Sequence, residues 1–188
     1  MSDGFRERIL SIGENGTALA NSTTETSLLP DGRKVTLPSY FFDRVGKPLI
    51  LRAAGRISTK ATTPGTLTLA LKFGSIVVAT SGAMTLNTTA QTNTPWVLDM
   101  ESVLRSIGSG TAAALFSQGT FRSHAVIGSS AIGTAGAGCQ MLPYNAAPAV
   151  GNGFDATAAQ TIDFTGTWSS ADSNNSIQLH QFSLDVYI

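Results

Sequence analysis

Apolar and polar side chains alternate along most of this chain, and the period is two. Leu67, Leu69, Leu71 and Phe73 alternate with Thr66, Thr68, Ala70 and Lys72, which predicts a strand with one face in a core and the other toward water. Gly74–Ser75 then leads into residues 76–80, and so short a connection predicts a hairpin. Over residues 48–58, Leu49, Leu51, Ala53 and Ile57 fall on one side, with Ile50, Arg52, Ala54 and Arg56 on the other. Trp96, Leu98 and Met100 alternate with Val97, Asp99 and Glu101, after which the apolar parity moves to Val103 and Ile107. That change predicts a bulge or bend. Leu115, Phe116 and Phe121 mark a further strand within residues 112–123.

The last stretch, residues 160–188, carries the longest pattern. Ile162, Phe164 and Trp168 share one side, and Thr161, Asp163, Thr165 and Thr167 the other. Residues 169–176 hold no large apolar side chain and read as a turn. Ile177 and Leu179 are then in phase, but Phe182, Leu184, Val186 and Ile188 have the opposite parity. A one-residue slip at His180–Gln181 is what a β-bulge produces. The expectation is a terminal hairpin whose second strand is tied into the core.

The remainder is less regular. Phe5, Ile9 and Ile12 would share a helix face, yet a strand or a flexible arm fits residues 1–12 equally well. Residues 13–27 are polar and low in complexity and read as an extended arm or a set of turns. Asp31–Gly32 signals a tight turn before Val35 and Leu37. Residues 126–159, rich in Gly and Ala with Pro143 and Pro148, read as a long irregular loop, a length that is usually functional or mobile. About eight strands without βαβ alternation predict an all-β fold, an antiparallel β-sandwich of jelly-roll type. The expected organisation is an N-terminal arm, 1–27, and one sandwich domain, 28–188.

Composition narrows the function classes. The chain has 188 residues, only 13% of them charged, and a formal net charge of zero. Nucleic-acid and polybasic membrane binders need a basic stripe, so neither partner is expected. No apolar stretch is long enough to span a bilayer, and MSDGFRERIL lacks the apolar core of a secretory signal. Asn-x-Ser/Thr matches at Asn15, Asn21, Asn87 and Asn174 then reflect composition. Cys139 is the sole cysteine, which excludes an intramolecular disulfide.

Candidate chemistry is sparse. His124 and His180 are far apart and in no metal-ligand spacing. Cys139 could pair with either histidine, but a small loop residue is the plainer reading. Asp99 and Glu101 share a strand face; a solvated outer face explains them better than acid–base work, and Arg52 and Arg56 could pair with them across strands. Asp155 and Asp163 complete the carboxylates that a hydrolase could use. Gly133, Gly136 and Gly138 do not form a phosphate loop. Trp96 and Trp168 could stack on sugars, although their apolar strand faces predict core positions. No catalytic, cofactor-binding or metal-binding residue is assigned, and no enzyme activity is expected.

The phrases LLPDGRKVTLPSYFFDRVGKPLILRAAGRIST, GTLTLALKFGSIVVATSGAMTLN, TPWVLDMESVLRSIGSGTAAALFSQGTF and TIDFTGTWSSADSNNSIQLHQFSLDVYI resemble the small jelly-roll virion proteins of tailed bacteriophages. These are capsid decoration proteins, head fibres and tail or adsorption proteins. The resemblance covers roughly residues 28–125 and 160–188 and implies a non-enzymatic structural protein of the virion, assembled in the bacterial host cytoplasm. The role it implies first is a capsid decoration or cement protein, a homotrimer bound to the major capsid protein or another virion protein. Apolar residues on both strand faces near Leu49–Ile57 would suit such an interface, and the arm would order on capsid subunits. The other implied role is a tail or fibre module recognising host-surface carbohydrate, with Tyr144 and Phe154 of the long loop as contacts.

Overall fold

A computed structural model describes residues 4–128, 138–142 and 153–187. In chain order its strands are β1 (Arg6–Ile12), β2 (Leu19–Ala20), β3 (Thr26–Ser27), β4 (Thr36–Leu37), β5 (Pro48–Thr59), β6 (Thr66–Phe73) and β7 (Ile76–Thr80). There follow β8 (Met84–Leu86), β9 (Gln91–Ser106), β10 (Ala114–Ser123), β11 (Val126–Gly128), β12 (Cys139–Leu142), β13 (Gln160–Trp168) and β14 (Ser176–Tyr187). They form two sheets. The first has the order β1-β14-β5-β9-β10-β12, with β2 added to β14; the second has β11-β8-β6-β13-β3, with β4 on β13 and β7 on β6. All pairings are antiparallel, and the sheets close over one apolar core.

The alternation of the sequence becomes burial. Leu49, Leu51, Ala53 and Ile57 face inward from β5, and Leu67, Leu69, Leu71 and Phe73 from β6. Trp96 stacks on Phe121, with ring centroids 5.6 Å apart, and its indole N–H donates to the Arg56 carbonyl at 3.2 Å. Trp168 is equally buried and donates to the Leu19 carbonyl at 3.1 Å. Satisfying each indole N–H removes the main cost of burying a tryptophan. The hairpin β6–β7 forms as expected, with Gly74 at φ +59°, and the register of β14 against β5 shifts between Leu179 and Gln181. The parity change in the sequence marks that bulge.

Four expectations are corrected. First, β13 and β14 are not a hairpin: β13 pairs with β6 in the second sheet and β14 with β5 in the first. The polar connection crosses the edge of the sandwich, and alternation alone does not say which sheet a strand joins. Second, the irregularity expected in β9 falls beyond the parity change: β9 keeps one parity through residues 96–104, and its register against β10 shifts between Leu104 and Ser106. Ser102 takes the inward slot and shares a 2.7 Å hydrogen bond with Ser117, both buried. A mutually satisfied hydroxyl pair can occupy a core position, so a polar residue there does not require a bulge. Third, residues 4–27 are no free arm. β1 pairs with β14, and the Gly16 amide donates to the Leu179 carbonyl at 2.8 Å. β2 and β3 then join opposite sheets, with Leu19 buried between them. Covering the free edges of β14 and β13 explains the arrangement. Fourth, the segment 126–159 contains β11 and β12, and Phe154 is fully buried against Phe42 and Phe73, so it is core rather than a ligand contact. Tyr144 lies outside the described residues.

β1 also brings charge to a covered site. The Asp185 side chain, 2% exposed, accepts from Arg6 Nη2 at 2.6 Å and Arg8 Nε at 2.9 Å. Burial pushes its pKa up, but the hydrogen bonds from Arg8 and Arg6, with their charges, outweigh that, and the carboxyl lies below its ordinary value. A carboxyl with a lowered folded pKa contributes stability above its unfolded pKa, about 3.9. That contribution is lost as pH falls through the folded value. Asp185→Asn should therefore cost about 1–2 kcal/mol at pH 7, the half-exposed arginines moderating the loss. It should also flatten the fall of Tm between about pH 4 and pH 2. Melting curves across that range check both effects.

Candidate functional site

The outer face of the first sheet carries a group of paired polar side chains on a rigid support. Two rows of directly paired residues cross it. In one, Ser183 of β14 lies beside Arg52 of β5, Arg52 beside Asp99 of β9, and Asp99 beside Thr120 of β10. In the other, Gln181 neighbours Ala54, Ala54 neighbours Val97, and Val97 neighbours Arg122, whose partner on β12 is Cys139. Asp99 sits between two guanidinium groups, 2.8 Å from Arg122 Nη2 and 3.4 Å from Arg52 Nε. All three side chains are about half exposed, at 56%, 53% and 47% for Arg122, Arg52 and Asp99. They hold one another in place yet still reach solvent.

Three adjoining depressions open on this face, and Val97 lines all of them. One, of about 670 Å³, lies over Gly13, Arg56, His180 and Gln181. A second, of about 480 Å³, lies over Arg122, His124 and Cys139. Beside both, one of about 290 Å³ is bounded by Arg8, Arg52, Asp99, Gln181 and Ser183. The floor depends on Gly55. A Cβ there would come within 2.0 Å of the Gln178 carbonyl oxygen and 2.8 Å of Trp96 Cζ2, so only glycine lets β14 and the Trp96 indole approach β5 this closely.

The residues singled out from the sequence are dispersed around this groove. Arg52 pairs with Asp99 as expected. Arg56 instead donates to the Asn93 carbonyl at 3.3 Å. Glu101 shares the face and lies beside Ile50 and Gln118. His124 is exposed and borders one depression, while His180 sits at the bulge of β14 with its Nδ1 2.5 Å from Asn15 Oδ1. Cys139 neighbours Arg122 across strands and lines the same depression as His124. Asp163 lies on the other sheet, bound to Ser27 and Lys34. The Asp155 carboxyl is held below its ordinary value by the Thr157 hydroxyl and by backbone amides, the chemistry of a loop cap. Among the described residues no group of three or more His, Cys, Asp or Glu side chains could hold a metal.

The sequence reading missed Arg8, Val97, Arg122 and Gln181 as a group. Arg122 was legible, because Gln118, Thr120 and Arg122 alternate with inward-facing residues of β10. Arg8 was not, because no periodicity places β1 beside β14.

The architecture and the groove define a two-sheet antiparallel β-sandwich with a polar, arginine-bearing face. No protein-family model matches the chain, and no curated protein matches it. Among solved structures it is similar to the CBM2 module of the evolved Dit of Lactobacillus casei BL23 phage J-1, at 12% identity and a TM-score of 0.37, over 99% of this chain and 98% of that one. It is similar to winged bean acidic lectin complexed with methyl-α-D-galactose at 8% identity and a TM-score of 0.40, over 97% and 99% of the two chains. Lectin I from Ulex europaeus, in complex with the methyl glycoside of α-L-fucose, aligns at 8% identity and a TM-score of 0.37, over 99% of each chain.

Proposed function

We propose that this protein is a non-enzymatic carbohydrate-binding module that uses the outer face of its first sheet. The observation that carries the reading is the Arg52–Asp99–Arg122 cluster beside exposed Val97. Neighbouring hydroxyls of a sugar donate and accept at once. A carboxylate fixed between two guanidinium groups offers acceptors and donors at fixed spacing, and Val97 offers an apolar surface for the C–H face of a ring. Strand-borne side chains held by mutual ion pairs lose little freedom on binding. The bacteriophage-like strand and turn phrases support a virion setting with a host-surface glycan as partner.

A second reading, a capsid decoration protein acting as a homotrimer, is favoured by a different surface. Exposed Phe5, Tyr40, Val45, Ile107 and Tyr187 gather where Arg6 pairs with Tyr187, Arg44 binds the Tyr187 carbonyl and Gly46 binds Leu104. That is the end of the sheet away from His180 and Cys139, and apolar patches of this kind mark protein interfaces.

Binding to a panel of immobilised bacterial polysaccharides tests the first reading. Arg52→Ala and Arg122→Ala should each weaken binding at least about tenfold, as expected for loss of a charged hydrogen bond. Tm should hardly change, because exposed ion pairs contribute little. A wild-type protein that binds no polysaccharide but attaches to purified phage heads would establish the second reading instead.

A further inference from the structure

Resting on the carbohydrate reading, we infer that the ligand is an acidic saccharide, one whose sugar rings carry carboxylate, sulfate or phosphate groups. The charge of the groove differs from that of the chain. Formal net charge is zero overall, yet among the described residues the three depressions are bordered by Arg8, Arg52, Arg56 and Arg122, and by a single carboxylate, Asp99. No described acidic residue lines the depressions over Arg56 and over His124.

Arg56 and Arg122 are also available. Arg56 makes one contact, to a backbone carbonyl at 3.3 Å, and has no carboxylate partner among the described residues. Arg122 uses one donor on Asp99. A guanidinium has five N–H donors in a fork that matches an oxyanion. The fold itself shows the fit twice: Asp99 between Arg52 and Arg122, and Asp185 between Arg6 and Arg8. A ligand oxyanion beside Arg56 or on the free edge of Arg122 would repeat that arrangement. His180 and His124 border the same two depressions and can add ring N–H donors. Nucleic acid is a poorer match, since single strands are held by stacking on exposed aromatic rings. Among the described residues the one aromatic bordering the groove, Trp96, is 1% exposed.

The test compares immobilised dextran, dextran sulfate, polygalacturonate and an oligo(dT) strand for binding to the full chain, at low and at physiological salt. The expected result is binding to one or both acidic polysaccharides at least tenfold tighter than to dextran or oligo(dT). The preferred acid then tells sulfate from carboxylate. The double variant Arg56→Ala, Arg122→Ala should lose at least tenfold of that affinity. Lys72→Ala, which removes one charge from the opposite sheet, should lose less than twofold. Equal binding to dextran would overturn the acidic preference and leave the carbohydrate reading standing. Equal binding to oligo(dT), or equal losses in the two variants, would show attraction by charge alone and overturn the inference. Failure to bind any polysaccharide here and in the wider panel would overturn both.

Discussion

Deleting residues 1–20 should unfold the protein. The deletion removes β1 and β2, taking buried Ile12 and Leu19 out of the core, at about 1.5–3 kcal/mol for each large apolar side chain. It also removes both arginines that pair with Asp185 and the strand beside it, a further loss of about 1–2 kcal/mol. The sum is comparable with the whole stability of a typical domain, about 5–15 kcal/mol. Circular dichroism and thermal melting of the truncated chain should show no cooperative transition, and the newly open edge of β14 should make it prone to aggregate. A truncated protein that melts cooperatively near the wild-type temperature would show that β1 is an accessory strand.

Phe73→Ala should be the most damaging single truncation in the core. Phe73 stacks on Phe42 at 5.4 Å and meets Phe154 edge-on at 5.1 Å, and Phe42 meets Phe154 at 5.1 Å. These three rings join the segment before β5, the end of β6 and the segment before β13. The cavity cannot collapse without moving two sheets, so the loss belongs at the upper end of about 3–5 kcal/mol. Urea unfolding should show a large drop in midpoint with an unchanged m-value. Phe5→Ala is the matched control, because Phe5 is 83% exposed and its loss should leave the midpoint in place. Similar midpoints for the two variants would mean that the three-ring cluster is not part of the cooperative core.

What could be read from the sequence was whatever a single strand records about itself. β5, β6 and β9 announce their buried faces, Gly74–Ser75 its hairpin, and the parity change at His180 its bulge. Partner choice between strands was not recorded. Ile162, Phe164 and Trp168 look the same whether β13 pairs with β14 or, as it does, with β6. Short bridging strands such as β2 and β3 have two residues each, too few to show a period. The buried Ser102–Ser117 pair defeats an apolar pattern because two hydroxyls satisfy each other only once β9 and β10 are in register. The groove follows the same division: Arg52 and Asp99 could be paired from alternation alone, whereas joining them with Arg8 and Arg122 required the order of five strands.

The pairing of Arg6–Ile12 with Phe182–Tyr187 also sets the timetable of folding. During synthesis β1 has no ladder partner until β14 has emerged, 177–179 residues behind it by the Arg8–Asp185 and Arg6–Asp185 contacts. Closure over so long a loop comes late and slowly, in the millisecond-to-second range of β-rich domains. Until then β1 stays unpaired and the edge of β5 that β14 will occupy stays open. A cell making this protein in quantity thus has to shelter a nearly finished sandwich, rather than an early fragment, from its neighbours.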